Sequence, residues 1–219
     1  MTHKAQVREK IVVWGAGGHA KVVVEILRLV GGYEIVGFLD DINRDRWGGE
    51  FCDARILGGS ERLSALRAAG VENLALGVGD CQARLKMIRT GRRLGFSFPK
   101  IIHPGAIVSA EATISEGTVV VAGAVINPGS KLGAAVVVNT SALVDHDCVI
   151  GDGAHICPGA RLAGGVRIEE GAWVGLGAVI IERLSVGKGA YIGAGAVVLK
   201  NVPESVLAYG VPARIVRKL

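Results

Sequence analysis

The chain has 219 residues, which is enough for one or two domains with a sizeable core. Glycine accounts for 33 residues, about twice its usual share of roughly 7%, and aromatic residues make up only 5%, so the core must pack through small and aliphatic side chains. The net charge of +5 arises in residues 1–100, which carry 16 Lys and Arg against 11 Asp and Glu. We therefore expect a phosphorylated ligand to bind to this part of the chain.

Several classes of protein are excluded by local composition. No run of about 18 apolar residues is present, so we expect no membrane insertion. Residues 1–10 are polar with no apolar stretch behind them, and the four cysteines form no CxxC pair, so we expect a cytoplasmic protein without a secretory signal. The basic cluster of Arg89, Arg92 and Arg93 has no interleaved aromatic residues, and we therefore expect no nucleic-acid partner.

Residues 1–100 show the alternation of strands and helices that is typical of an α/β domain. We predict strands over residues 11–14, 34–39 and 74–78, separated by a glycine-rich turn and a helix over residues 21–30. A second helix is predicted over residues 80–94, capped by Asp80 and ended by Gly95. This order predicts a small parallel sheet, equivalent to half of a Rossmann fold.

The first turn carries a nucleotide-binding signature. Gly15, Gly17 and Ala20 satisfy the pattern G-x-G-x-x-A between a strand and a helix, and Asp40 follows twenty residues after Ala20. A full dinucleotide site needs about twice the sheet that this segment can build, so we expect one nucleotide to bind here.

Each polar group at this turn has an expected role. The N–H groups of Gly17, Gly18 and His19 lie at a helix N-terminus and can bind a pyrophosphate. Asp40 or Asp41 can accept hydrogen bonds from ribose or base, and Gly79 should lie beside the turn at the end of a neighbouring strand. The alternative is that the glycines only allow close packing of helix and strand.

From residue 101 onward the sequence repeats every six residues. An aliphatic residue occupies every sixth position without a slip, usually with Ala two residues before it and Gly three residues before it. The aliphatic positions are Ile102, Val108, Ile114, Val120, Ile126, Leu132, Val138, Val144, Ile150, Ile156, Leu162, Ile168, Val174, Ile180, Val186, Ile192 and Val198. Three such hexads predict one triangular coil of 18 residues, and successive coils should stack about 4.8 Å apart.

This repeat resembles that of the hexapeptide-repeat acyltransferases, which implies an all-β left-handed parallel β-helix over residues 101–219. A more specific resemblance, to the bacterial sugar O- and N-acyltransferases of the sialic acid and bacillosamine type, spans nearly the whole chain. It rests on residues 14–20, 38–41, 102–104 and 139–140, and on His146.

That resemblance implies a nucleotide-sugar domain followed by an acetyltransferase β-helix, with acetyl-CoA as co-substrate. It makes His146 the catalytic base, Asp147 its acidic partner and His155 an acetyl-CoA contact. It also implies a homotrimer with active sites between subunits.

The residues themselves support chemistry at His146. It is the only histidine of the repeat region flanked by two carboxylates, and an adjacent carboxylate can fix an imidazole tautomer so that the ring acts as a general base. Gly164 lies 18 residues after His146, which places it one coil away, where its N–H is a candidate oxyanion donor to the thioester. The alternative for Gly164 is a simple corner residue.

Three more residues are candidates for acetyl-CoA binding. His155 lies half a coil from His146, so the two should meet only across a subunit interface, and the alternative is an outward-facing histidine with protein partners. Lys200 and Arg214 can meet CoA phosphates, with ordinary surface charge as the alternative.

The sequence thus predicts an acetyl-CoA-dependent N-acetyltransferase acting on a nucleotide-linked amino sugar. O-acetylation of a sugar or sialic acid is the near alternative. A metal lyase is a remote one, because the related β-helix enzymes that bind zinc use three histidines, and here His103 lies more than two coils from the others. We expect no metal site.

Overall fold

The computed structural model describes residues 8–219. The expected lack of a secretory signal rests largely on residues outside this range. The first part of the chain forms a five-stranded sheet. Its strands are β1 (Glu9–Trp14), β2 (Tyr33–Leu39), β3 (Glu50–Phe51), β4 (Ala54–Gly58) and β5 (Asn73–Leu76). Their order is β3-β4-β2-β1-β5, with β3 antiparallel to β4 and the others parallel.

Three α-helices accompany this sheet: α1 (Gly18–Val30), α2 (Leu63–Ala68) and α3 (Cys81–Arg93). Two 3-10 turns span Arg44–Arg46 and Ser60–Arg62. Asp80 caps α3 as predicted, because its carboxylate accepts a 2.7 Å hydrogen bond from the Ala83 N–H. Within residues 8–219 no helix is both long and apolar enough to cross a membrane.

The sequence analysis missed the β3–β4 hairpin. Its tight turn places Cys52 and Asp53 at positive φ, 47° and 62°, where hairpins usually carry Asn-Gly or Asp-Gly. The hairpin therefore lacked its usual sequence signal. The missed α2 spans only six residues, too few to show helical periodicity.

The rest of the chain is the parallel β-helix that the hexad repeat predicted, with the left-handed coiling that the family resemblance implied. Seventeen strands of two residues each, β6 to β22, are Ile101–Ile102, Ile107–Val108, Thr113–Ile114, Val119–Val120, Val125–Ile126, Lys131–Leu132, Val137–Val138, Leu143–Val144, Val149–Ile150, His155–Ile156, Arg161–Leu162, Arg167–Ile168, Trp173–Val174, Val179–Ile180, Ser185–Val186, Tyr191–Ile192 and Val197–Val198. Each pairs with the strand 18 residues away, as His155 does with Trp173. A hairpin of β23 (Val206–Gly210) and β24 (Ala213–Lys218) follows them.

The second residue of each strand points into the β-helix. From Ile114 onward these aliphatic side chains are almost completely buried and form one continuous core with the alanines two residues before them. This column of side chains is the packing that a glycine-rich sequence with few aromatic residues allows.

The first residue of each strand points outward, and the three outer faces differ. The face carrying Ile101, Val119 and Val137 is buried beneath α1 and the first sheet. We call it the covered face; farther along, it carries His155, Trp173 and Tyr191. A second, the apolar face, presents Ile107, Val125, Leu143, Arg161, Val179 and Val197. The third carries mainly polar residues, including Lys131, Arg167 and Ser185.

The corners of the β-helix require left-handed backbone, and two of them matter below. The docking corner consists of Gly117, Ala135, Gly153 and Gly171, with φ between 56° and 67°. Helix α3 packs on it, since a Cβ added at Gly153 would lie 2.5 Å from Leu85 Cγ. The dyad corner consists of Gly129, Asp147, Gly165 and Arg183, with φ between 57° and 74°.

Candidate active site

His146 and Asp147 form a hydrogen-bonded pair on the dyad corner. The imidazole Nδ1 lies 2.9 Å from Asp147 Oδ2, and both side chains are exposed, 61% and 73% respectively. Because a carboxylate accepts a proton donor, Nδ1 carries the hydrogen and Nε2 is left with a free lone pair. This is the tautomer that a general base needs.

The charges around His146 favour its protonated form. The hydrogen bond to Asp147, helped by the nearby charge of Asp145, raises the imidazole pKa above its usual value. Among the described residues the ring bonds Asp147 and forms no hydrogen bond with Asp145. The Oδ1 of Asp145 accepts hydrogen bonds from Asn127 Nδ2 at 2.7 Å and from the His146 N–H at 2.8 Å, and these bonds lower the pKa of Asp145. Asp145 therefore fixes the backbone of the pair.

Glycines of the adjacent coils make room for both members of the pair. A Cβ built on Gly164 would lie 2.5 Å from both Cε1 and Nε2 of His146, so any larger residue there would displace the ring. Gly129, one coil away on the other side, lies against the Asp147 carboxylate in the same manner. The Gly164 N–H donates no hydrogen bond among the described residues, which keeps its predicted role as an oxyanion donor open.

A cavity of about 610 Å³ lies at the carboxyl ends of the parallel strands in the first domain. Every residue predicted to bind the nucleotide lines it: Gly15, Gly17, Gly18, His19, Asp40, Asp41 and Gly79. Further lining residues, which the sequence analysis did not single out, include Trp14, Asn43, Ser60, Lys86 and Thr90.

The glycines of the first turn divide into two roles. Gly15 has φ of 124°, its N–H donates to Leu39 O, and a Cβ there would lie 2.6 Å from Gly77 O, so Gly15 allows close packing of two strand ends. Gly17 and Gly18 have open space where a Cβ would be, and no side chain caps α1. The first N–H groups of α1 are thus free for an anion.

Asp40 and Asp41 support the cavity wall. Asp40 is 6% exposed, and its Oδ1 accepts hydrogen bonds from the N–H groups of Ile42 and Asn43, both at 3.0 Å. Burial acts to raise the pKa of Asp40, but these hydrogen bonds outweigh it and lower the pKa overall. Asp41 bonds Trp14 Nε1 at 2.7 Å and the Ser60 N–H at 2.6 Å. Contacts of either carboxylate with ribose or base stay a prediction.

His155 lies buried between the two domains, 4% exposed. Its Nε2 is 3.1 Å from Asn139 Nδ2 and its Nδ1 is 3.1 Å from Gly79 O. Asn139 Oδ1 accepts from the Thr140 N–H, which directs the Asn139 amide N–H at His155 and leaves the hydrogen on Nδ1 of the ring. Burial lowers the pKa of His155 to about 3, and the charge of Arg84 acts in the same direction.

His155 therefore matches the alternative of a histidine with protein partners, although it still faces outward from the β-helix. It lies near the nucleotide cavity, since its ring centre is 6.3 Å from that of His19. Burial lowers the pKa of His19 to about 4, and its buried Nε2 has no hydrogen-bond partner within residues 8–219. A contact of His155 with acetyl-CoA stays a prediction.

Arg84 is a residue that the sequence analysis missed. It is completely buried where α3 meets the β-helix. Burial lowers its pKa, yet a guanidinium remains charged in a protein. A signal was present in the sequence, because Arg84 falls on the same helix stripe as Cys81, Leu85 and Ile88, the buried face of α3.

The remaining predicted residues lie apart from these groups. Lys200 is exposed near the end of the β-helix, and Arg214 is exposed on β24, where its side chain donates to the Ala213 carbonyl at 3.1 Å. His146 and His155 lie on different sides of the β-helix, as expected from their spacing. Among residues 8–219 no group of three or more His, Cys, Asp or Glu side chains is arranged to hold a metal ion.

Comparison with known proteins agrees with this arrangement. Residues 10–90 match the PglD N-terminal domain family. The chain is 36% identical over 117 residues to UDP-N-acetylbacillosamine N-acetyltransferase of Bacillus subtilis (strain 168). That alignment covers 52% of this chain and 51% of the relative, so the match spans about half the length of this curated relative.

Solved structures match nearly the whole chain. PerB from Caulobacter crescentus, in complex with CoA and GDP-perosamine, is 40% identical with a TM-score of 0.90, over 95% of this chain and 97% of that one. The acetyltransferase domain of PglB from Neisseria gonorrhoeae FA1090, in complex with acetyl coenzyme A, is 40% identical with a TM-score of 0.89, over 96% and 100%.

Proposed function

The chain belongs to the bacterial nucleotide-aminosugar N-acetyltransferase family, and from this premise we propose that it transfers an acetyl group from acetyl-CoA to the amino group of a nucleotide-linked amino sugar. The observation that carries the proposal is the exposed His146–Asp147 pair, with a free Nε2, on the same chain as a cavity of about 610 Å³ lined by the residues predicted to bind the nucleotide. We place the reaction in the cytoplasm, which suits the four free cysteines.

The chemistry needs a base at the amine. The amine nitrogen attacks the thioester carbonyl carbon, a C–N bond forms, and His146 Nε2 takes the proton that the amine loses. The C–S bond then breaks, and the protonated imidazole returns the proton to the departing CoA sulfur. Asp147 holds the tautomer and stabilises the imidazolium that forms between these steps. The N–H of Gly164 is our candidate donor to the oxyanion.

The nucleotide part of the substrate is assigned to the cavity of the first domain. The free N–H groups at the start of α1 suit the pyrophosphate, and Lys86 brings a positive charge to the same cavity. One relative is named for a UDP-linked amino sugar and another was solved with a GDP-linked one, so the proposal includes both nucleobases.

A direct assay tests this function. Purified protein is mixed with acetyl-CoA and each member of a panel of UDP-, GDP- and dTDP-linked amino sugars and their counterparts without an amine, and released CoA thiol and acetylated product are measured. We expect thiol release with one nucleotide class and a product acetylated on nitrogen. Thiol release only with sugars that lack a free amine would contradict N-acetylation and favour the O-acetyltransferase alternative.

We also propose a homotrimer that shares each active site between two subunits. The support is the apolar face, where Ile107 is 67% and Val179 is 38% exposed, adjacent to the corner that carries His146. A second copy of this chain covering that face would bury these side chains. It would also bring the part of the covered face near His155 of one subunit toward His146 of the next.

Subunit mixing tests the shared site. Inactive His146→Ala and impaired His155→Ala chains are exchanged, and we expect activity above the sum of the separate variants because some clefts regain both histidines. Exchange is verified by mass spectrometry. Exchange without any gain, or an active monomer in sedimentation, would contradict a shared site.

A further inference from the structure

The guanidinium of Arg84 joins the nucleotide cavity to the β-helix. It donates to five backbone carbonyls, two in the strand end that lines the cavity and three at or beside the docking corner. These acceptors are Val78 (3.3 Å), Gly79, Ala135 (2.9 Å), Gly153 (2.8 Å) and Ala154 (3.2 Å). Within residues 8–219 no carboxylate forms an ion pair with Arg84. The charge is held by these main-chain dipoles, with Cys81 Sγ as one further acceptor at 3.7 Å.

Simple attachment of α3 does not require this charge. Leu85 already packs against Gly153, and Ile88 packs against Gly117, on the same corner. A charge buried without a counter-ion is costly unless its hydrogen bonds are well formed. What Arg84 adds over its apolar neighbours is a fixed geometry between two sets of carbonyls, because its donors are planar and rigid.

The carbonyl of Gly79 is the point where these contacts converge. It accepts from Arg84 and also from His155 Nδ1, so one carbonyl of the cavity wall is held by the first domain and by the β-helix. On the β-helix side, the carbonyls of Ala135 and Gly153 accept no other backbone hydrogen bond among the described residues. Loss of Arg84 would leave both without a partner.

We propose that Arg84 is a positioning residue that holds the Gly77–Gly79 wall of the nucleotide cavity in fixed register with the β-helix, so that binding of the nucleoside diphosphate depends on it. The inference rests on the proposed function in one respect, the assignment of the nucleotide to this cavity. The Gly77–Gly79 wall of the cavity is then held in place by residues of both domains.

The test uses Arg84→Lys and Arg84→Gln in the full chain, with GDP, UDP and dTDP as probes in calorimetry and CoA as the second ligand. We expect at least a tenfold weaker affinity of Arg84→Lys for the nucleotide that the wild type binds, with CoA affinity unchanged within twofold. The KM for the nucleotide-sugar should rise while the KM for acetyl-CoA stays constant. A lysine keeps the charge but cannot reach both sets of carbonyls.

The matched control is Arg92→Gln. Arg92 lies on the same helix and also bonds the β-helix, through Glu116 at 2.6 Å and 2.9 Å, but it is exposed and does not line the nucleotide cavity. It should leave both affinities unchanged.

Three results would overturn the inference. One is wild-type nucleotide affinity in folded Arg84→Lys, and another is an equal loss of nucleotide and CoA affinity, which indicates general destabilisation. If neither variant folds, hydrogen exchange of the wild type decides. Nucleotide should slow exchange at residues 153–155 as well as at residues 77–80, and slowing at 77–80 alone would contradict the coupling. A wild type that binds no nucleotide but binds CoA rejects the cavity assignment itself.

Discussion

The docking corner and the dyad corner are built from the same backbone and differ in what covers them. Both repeat every 18 residues with left-handed φ, and each has a histidine close by, His155 after Gly153 and His146 before Asp147. At the docking corner a helix and a buried guanidinium exclude water, and the pKa of His155 falls to about 3. At the dyad corner solvent and carboxylates surround the ring, and the pKa of His146 rises.

This difference shows that the repeat alone does not assign chemistry to a histidine. The covered ring stays neutral and serves as a hydrogen-bond donor to Gly79, which lines the nucleotide cavity. The exposed ring has a free Nε2, and the hydrogen bond to Asp147 raises its pKa above the usual value.

The largest effect is expected at His146. His146→Ala should lower kcat by about 10²–10⁴-fold, because the general base is lost while no core packing changes. Steady-state thiol release measures this, and circular dichroism verifies the fold. The control is His103→Ala on the first coil of the same β-helix, which should retain activity. A kcat above about a tenth of wild type in His146→Ala would place the base elsewhere.

A smaller loss is expected from Gly164→Ala. The added methyl group would occupy space that the His146 ring fills, so the ring must move, and a displacement of that kind costs about 10²-fold in kcat. Glu182→Ala, one coil farther along at the equivalent position, is the control. Equal activity of Gly164→Ala and wild type would show that the ring acts from another position.

Asp147→Asn should shift the pH profile more than it lowers the rate. Removal of the carboxylate lowers the pKa of His146, so the acidic limb of the kcat/KM profile moves to lower pH. At neutral pH we expect a loss in kcat smaller than that of Gly164→Ala, from the less favourable tautomer. Asp145→Asn, which removes a nearby charge but no ring contact, should move the limb less. An unmoved limb in Asp147→Asn would contradict the pair.

The remaining effect is on stability rather than on rate and belongs to His155. The pKa of His155 is about 3 in the folded protein against about 6.5 in the unfolded protein. Below pH 6.5 the unfolded state therefore binds more protons, and the free energy of unfolding decreases as the pH is lowered. Between pH 6.5 and 5 this amounts to about 2 kcal/mol. Urea unfolding of the wild type and of His155→Gln at both pH values should show a smaller loss in the variant, with His103→Gln as control. Equal losses in all three would contradict a neutral buried His155.

The sequence analysis predicted the features that repeat or follow a fixed spacing. The hexad positions predicted the β-helix, the 18-residue coil predicted that Gly164 lies next to His146, and the glycine turn predicted the lining of the cavity. The family resemblance supplied the handedness and the role of His146. These signals are local or periodic, so they can be seen along one chain.

The interface between the domains could not be predicted in the same way. In the sequence Arg84 resembles any other basic residue unless its position on the buried stripe of α3 is considered. Its acceptors on the β-helix lie 51 to 70 residues away along the chain. The burial of His155 depends on that same docking. Such contacts arise from tertiary packing, which no motif encodes.

The covered face also sets where coils can be gained or lost. Its outer column runs from Ile101, Val119 and Val137 beneath the first domain to His155 at the cavity edge, and then to Trp173 and Tyr191. One extra coil before His155 would shift every later residue by about 4.8 Å and place a different side chain against Gly79. A coil added after Tyr191 would lengthen the prism and leave that match intact. The number of coils before His155 is thus fixed by the contact with Gly79, whereas the number of coils after Tyr191 can vary.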